Sequence, residues 1–465
     1  MHLFGENLPP QMGLARRLRR HSPLLFVCLG YLVITVTYSL FIPAWEGNDE
    51  ADHVANTQYI LEHGDLFPLR WQRWHETHQP PLFYIVAAAW QKALGIAPLK
   101  LELPPPQGLP LTGPDPHLWF SHTYTPEQRL EALALRKLRL ISVLFGLGTV
   151  VLTYVAGGLI CGQREIVTSA AAFVAFLPKF NVVSAVFTND SLVIMLSSLG
   201  LVLALAYRRI PHEKRKAPAK IALALCLGMT AGAALITKLN SVPVFAVLLG
   251  SLLIVRWKVA WAALRDAALA AIGLLFTAGW WLLMNYRLSG DPLGQKGAHD
   301  WLNEVLPGVV SIVSWTDGER FLNFVPGNLF QSIWYDGAWN QFLAPFAFNL
   351  VLTGIASVAL FGVLKAFGQG GRYIKEGDFP IALLLTCSLA AVAAVFIIAK
   401  TSLQAEGRIT YVGLTAFALL SVLGVAETMG DTAGRLRRAV ALWPTVLVAL
   451  NLYVFFRFVL PFRAL

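Results

Sequence analysis

Glu46-Gly47-Asn48-Asp49-Glu50 follows directly on the apolar run of residues 24–43. His75-Glu76-Thr77-His78-Gln79-Pro80-Pro81-Leu82 stands at the head of a second apolar run, 82–94. The first run is long enough to cross a bilayer at about 20 residues per span. A knot of carboxylates, with His53 close behind, therefore sits where a membrane helix emerges into water. Asp49, His53 and Asn56 fall at helical spacing, so on a helix they share one face. A solvated loop rimmed with acids is the ordinary explanation of such a cluster. The second polar cluster, returning at the edge of the next apolar run, argues instead for a site.

Composition sets the class. The chain has 465 residues, 56% of them hydrophobic and 14% charged, with mean hydropathy +0.58. Those values describe an all-α polytopic membrane protein and exclude a soluble enzyme. The 14 Trp, 28 Phe and 12 Tyr fit aromatic belts at bilayer interfaces. The net charge of +10 falls largely in short loops between apolar runs. The positive-inside rule accounts for it, and no basic, aromatic-interleaved module points to nucleic acid. Cys28, Cys161, Cys226 and Cys387 lie in or beside apolar runs without metal-ligand or redox spacing, so they read as small packing residues.

Charge also orients the chain. Arg16, Arg17, Arg19 and Arg20 hold residues 1–23 in the cytoplasm, ahead of a first membrane helix over 24–43. Ile42-Pro43-Ala44-Trp45 is a poor cleavage site, so this helix reads as a retained anchor. Residues 44–139 form a first extracytoplasmic loop. The basic stretch Arg208–Lys216 must be cytoplasmic, and counting back from it works only if 82–94 does not cross. That run is therefore expected to be a re-entrant or interfacial helix. Transmembrane helices fill 140–284, a second large outer loop covers 285–345, and further membrane helices cover 346–465. The total is about eleven spans by the ~20-residue criterion. This parity collects Asp49, Glu50, His53, His78, Gln79, Asp190, Lys238, Glu406 and Arg408 at the outer surface.

The Asp49-Glu50 pair after the first helix and the Gln79-Pro80-Pro81-Leu82-Phe83-Tyr84 stretch resemble the GT-C superfamily of polyprenyl-phosphate-dependent membrane glycosyltransferases. The likeness is to their protein O-mannosyltransferase and aminoarabinose-transferase branch. Asn189-Asp190-Ser191-Leu192 and Glu406-Gly407-Arg408-Ile409-Thr410-Tyr411 fit the same pattern. The resemblance implies a GT-C fold and a polyprenyl-phosphate sugar donor. It implies transfer to a glycan, lipid or protein acceptor among the membrane lipids, outside the cytoplasm of the cell (inner) membrane.

Such transfer makes two chemical demands. An acceptor hydroxyl must lose its proton as it attacks, which suits a carboxylate base. The departing phosphate gathers charge, which suits Lys or Arg. Asp49 matches the leading acid of the family's motif and is the candidate base, with inversion at the sugar; Glu50 is its catalytic neighbour. His53, His78, Gln79, Asp190 and Glu406 are candidates for binding substrate. Lys238 and Arg408 are candidates for the phosphate, since charges near hydrocarbon are costly and functional by default; snorkelling to headgroups is their alternative. Asp190 could equally be a helix N-cap. A single acid at 189–190 argues against a dedicated metal, so no cofactor is expected beyond weak divalent-cation binding by Asp49 with Asp190. Arg136, Lys137 and Arg139 fall on the outer side against the charge rule, either as phosphate contacts or as a local slip in the topology. Trp301, Trp315, Trp334 and Trp339 in the second loop suit acceptor binding or interfacial anchoring. The rival functions are a lipid-linked sugar transporter or flippase, and a glycan ligase; a requirement for Asp49 in turnover separates them from a transferase.

Overall fold

The computed structural model describes residues 14–66, 79–101, 103, 124–211, 217–255, 260–296, 318–337, 342–367, 371–374, 377–399, 406–430 and 432–461. These are almost entirely helical. Helix α1 is Leu14–Phe41, followed by α2 (Glu50–His63), α3 (Leu82–Ala93), α4 (Pro126–Ile160), α5 (Arg164–Ala175), α6 (Pro178–Ala185), α7 (Asp190–Arg209) and α8 (Ala217–Leu235). Then come α9 (Val242–Val255), α10 (Ala260–Ser289), α11 (Gly318–Trp334), α12 (Phe346–Ala366), α13 (Phe379–Ala399), α14 (Leu414–Met429) and α15 (Ala433–Val454). Leu239–Ser241 and Gly407–Gly413 are 3₁₀ turns. A two-residue antiparallel pair, Asp336–Gly337 with Phe342–Leu343, is the only sheet among the described residues.

Nine of these helices are long and apolar enough to cross a membrane, and the α5–α6 pair, bent by 56°, makes a tenth. Leu239–Ile254 is apolar but shorter, so the described residues hold nine or ten candidate spans where about eleven were expected. The bend between α5 and α6 comes from Pro178, which lacks an amide hydrogen and drives Leu177 out of helical geometry to ψ 115°. At 12 residues, α3 extends only about 18 Å, well short of a bilayer's core. Its buried face, with Phe83, Tyr84 and Ala87, packs with Trp45, Val54, Leu138 and Phe187 in a small apolar core of its own.

One expected boundary moves. The loop drawn over 44–139 ends in helix, because α4 starts at Pro126. Thr125 and Gln128 form a reciprocal capping box there and Pro126 occupies the first turn. The resulting 35-residue helix carries Arg136, Lys137 and Arg139 on the membrane-proximal side of that start. Sequence periodicity alone obscured this, since the charges interrupt the apolar pattern.

Between the long helices the contact is close. A side chain on Gly228 of α8 would lie 1.9 Å from the carbonyl oxygen of Ala270 on α10, so these two helices meet backbone to backbone. Outward-facing residues such as Phe26, Trp261, Phe276 and Phe346 are large, apolar and exposed, as lipid contact requires. Inside, Trp334 stacks on Trp443 (centroids 5.5 Å apart, rings 18° from parallel) and meets Phe173 and Phe417. Trp334 is thus a core residue and not an acceptor platform, while Trp301, Trp315 and Trp339 lie outside the described residues.

Candidate active site

The chain leaves α1 and enters α2 through a short turn that holds two non-glycine residues at positive φ, Trp45 at 74° and Asp49 at 57°. Aspartate visits this left-handed region with some ease; tryptophan rarely does. Trp45 is kept there by burial and by its amide, which donates to Glu50 Oε2 at 3.1 Å. Strained backbone that surrounding structure over-determines is a mark of functional sites.

Glu50 anchors this turn. Arg139 on α4 donates from Nε and Nη2 to the two Glu50 oxygens at 2.8 and 2.7 Å. Its remaining N–H groups go to the carbonyls of Ser39, Ile42 and Pro43, at 3.0, 2.8 and 2.9 Å. These are carbonyls left over at the end of α1. Glu50 also accepts from the Phe187 amide at 2.8 Å, so one buried ion pair ties the first loop to α1, α4 and the approach to α7.

Beside the clamp lies a second, less enclosed network. Arg408 is its centre. Its Nη2 meets Asp49 Oδ2 at 3.3 Å, its Nη1 meets Asp190 Oδ2 at 3.2 Å, and its Nε meets Glu406 Oε2 at 2.5 Å. Lys238, at the turn between α8 and α9, donates to Asp190 Oδ1 at 2.7 Å. Asn48 donates to Glu406 Oε2 at 3.4 Å. Charges on four separate stretches of the chain are therefore gathered around one guanidinium. Lys238 is the most accessible member, with 17% of its side chain exposed.

Behind the acids is a neutral relay. His53 Nδ1 lies 2.9 Å from the Tyr84 hydroxyl and Nε2 lies 3.4 Å from the Thr188 hydroxyl, which accepts from the Asp190 amide. Burial dominates His53 and pushes it down to about 3, against the opposing pull of the Asp49 and Asp190 carboxylates, so the ring is uncharged at neutral pH. Asn189 donates to Gln79 Oε1 at 3.2 Å, bringing the start of α3 against the start of α7.

The structure thus brings Asp49, Asp190, Lys238, Glu406 and Arg408 into one ion-pair network, with His53 and Gln79 one contact away. His78 lies outside the described residues. Glu50 points elsewhere: its carboxylate is filled by Arg139 and two amides and is 1% exposed. Arg139, which runs against the charge rule in the expected topology, is accounted for by that clamp. Sequence reading missed Lys179. It stands alone in an apolar run, is 2% exposed at the start of α6, and interacts electrostatically with Glu406, Arg408 and Asp190. A solitary lysine at membrane depth was the available signal. Where a weak cation was expected between Asp49 and Asp190, the guanidinium of Arg408 bridges the two acids. Among the described residues no group of three His, Cys, Asp or Glu side chains is placed to hold a metal ion.

Residues 105–314 match the family described as dolichyl-phosphate-mannose-protein mannosyltransferase, a span holding Arg139, Asp190 and Lys238. No curated protein matches the sequence. Among solved structures, the oligosaccharyltransferase AglB from Archaeoglobus fulgidus, in complex with an inhibitory peptide and a dolichol-phosphate, aligns at 13% identity. The alignment covers 94% of this chain and 56% of that one, with TM-score 0.52. Another structure of that enzyme, with Zn and sulfate, aligns at 12% identity over 92% and 53%, TM-score 0.50. ArnT from Cupriavidus metallidurans, bound to undecaprenyl phosphate, aligns at 16% identity over 96% and 74%, TM-score 0.49. This chain therefore spans about half the length of the archaeal oligosaccharyltransferase. The family match covers less than half of the chain, and the likeness to the archaeal enzyme shows a shared fold. It is a multi-pass membrane protein built on that fold.

Proposed function

We propose that the chain moves a sugar from a polyprenyl-phosphate donor to a hydroxyl or phosphate of a glycan, lipid or protein acceptor, on the extracytoplasmic side, with inversion. One observation carries the reading. The Asp49 carboxylate shares Arg408 with Asp190, and Asp190 in turn holds Lys238. A base and two phosphate-binding cations are thereby held within one side-chain network, which is what inverting transfer from a phosphate requires.

For a hydroxyl acceptor, the oxygen attacks the anomeric carbon on the face opposite the phosphate, and its proton passes to Asp49. The bond from that carbon to the phosphate oxygen breaks, and the electron pair leaves on the phosphate, where Arg408 and Lys238 stabilise it. Arg408 lies between Asp49 and Asp190 and balances their charge. Glu50 in this reading holds the loop and takes no part in the chemistry. The donor class is the one named for the matching family, and the archaeal oligosaccharyltransferase of like fold holds a dolichol-phosphate. The side of the membrane is supported by α7, whose 20 residues span about 30 Å from Asp190 at the site to Arg208 and Arg209 at the other end.

The test is transfer from a labelled polyprenyl-phosphate sugar by membranes containing this chain, beside matched Asp49→Asn membranes. Label reaching an acceptor only with the wild type supports the reading. Equal transfer by both removes Asp49 as the base. Lipid-linked sugar crossing the bilayer without transfer makes the chain a transporter.

A further inference from the structure

Glu406 and Arg408 flank a glycine, and that glycine is seated on a helix from elsewhere in the chain. The Gly407 amide donates to Ser332 Oγ at 2.7 Å, and the same hydroxyl donates to the carbonyl of Asn328 one turn back in α11, at 2.6 Å. Both hydrogen-bonding directions of Ser332 are therefore used. The fit leaves no room: a Cβ on Gly407 would lie 2.2 Å from the Ile333 backbone nitrogen. One turn on, the Tyr411 hydroxyl donates to the Ile333 carbonyl at 2.5 Å. The end of α11 is in turn fixed by Trp334, buried against Trp443, Phe173 and Phe417. Within the turn itself, the Thr410 hydroxyl donates to the Gly407 carbonyl at 2.7 Å and the Ile409 amide to the Glu406 carbonyl at 3.2 Å.

We infer that Ser332 is a positioning residue for donor binding: the end of α11, through the Gly407 amide, sets where Glu406 and Arg408 present their charges. The inference rests on the proposed function, in which Arg408 holds the donor phosphate. Its chemistry is simple. A buried amide that loses its acceptor either stays unpaired or pulls its backbone toward another partner, and either shift moves the two flanking side chains away from Asp49 and Asp190. The fixed point lies outside the ion-pair network, so the effect falls on donor binding and leaves the base in place.

Ser332→Ala is compared with Ser332→Thr, which keeps a hydroxyl, and with Gly407→Ala, which enforces the clash. Ser251→Ala, whose buried hydroxyl bonds Leu248 of its own helix at 2.6 Å, serves as the control for general loss of packing. The first readout needs no substrate: amide hydrogen exchange of the peptide covering residues 406–413 in the purified full chain. Exchange about tenfold faster in Ser332→Ala, and near wild type in Ser332→Thr and Ser251→Ala, is the expected result. The second is saturation with a polyprenyl-phosphate sugar, where Ser332→Ala raises KM about tenfold and, because Arg408 also meets the departing phosphate, lowers kcat as well. Gly407→Ala shows at least the same change in both. Unchanged exchange in Ser332→Ala overturns the latch whatever the donor proves to be. Faster exchange with an unchanged KM overturns its role in donor binding. A wild-type chain that neither binds nor transfers any polyprenyl-phosphate sugar while the exchange result holds sinks the proposed function, and the donor role with it, but leaves Ser332 as the seat of Gly407.

Discussion

Asp49 and Glu50 are neighbours in sequence that make different contacts in this structure, and substituting each in turn tests the proposed division between chemistry and architecture. Glu50→Gln keeps the shape and one acceptor oxygen but leaves the Arg139 charge buried without a counter-charge. Breaking a buried pair from one side costs about 3–5 kcal/mol; the retained amide oxygen places this variant near the lower end. Arg139→Met lies at the upper end, because Ser39, Ile42 and Pro43 lose their donor together. Replacing both partners by apolar residues often restores stability elsewhere. Here it does not, since three carbonyls and the amides of Trp45 and Phe187 are all stranded, at about 1 kcal/mol each or more. Asp49→Asn behaves in the reverse way. Asparagine is at ease at φ 57° and keeps an oxygen that can accept from Arg408, which also retains Asp190 and Glu406, so stability changes by less than about 1 kcal/mol. Loss of a general base lowers turnover about 10²–10⁴-fold. The assay pairs thermal unfolding in detergent with transfer activity normalised to folded protein. Glu50→Gln with wild-type stability and no turnover refutes the division of roles, as does Asp49→Asn with wild-type turnover.

Arg408→Lys keeps the charge but loses the fork that reaches Asp49, Asp190 and Glu406 together, so apparent donor affinity falls about 10- to 100-fold, read as KM for the lipid-linked sugar. A double-mutant cycle of Lys238→Ala and Asp190→Ala on unfolding shows coupling of about 1–3 kcal/mol, because one bond of 2.7 Å joins two largely buried groups; additive effects contradict the pairing. His53 titrates at about 6.5 in an unfolded chain and at about 3 here, so the unfolded state binds the extra proton between those values. Stability contributed by this group is present above about pH 6.5 and is lost as pH falls toward 3. Unfolding midpoints of the wild type and His53→Gln across pH 7 to 4 therefore converge at the acid end, and parallel curves disprove the assignment.

Much of this was legible without coordinates. Apolar runs fixed by hydropathy, and loop charges read by the positive-inside rule, define the membrane class and the order of spans, because a bilayer imposes length and satisfied backbone on every segment alone. Lys238 and Arg408 could be picked out because an ionised group beside hydrocarbon is costly wherever it stands, and Asp49, Asp190 and Glu406 because they lie in the stretches that resemble the transferase family. What they do to one another could not. Spacing along the chain does not say that Arg408 reaches Asp49, 359 positions away, or that Glu50 turns from Asp49 to face Arg139. Ser332 was silent for the same reason, and Lys179 gave only the signal of a solitary charge in an apolar run, with no hint of its partners. Their partners come from distant helices, and only the packing of α4, α6, α7 and α11 brings the charges close enough to pair.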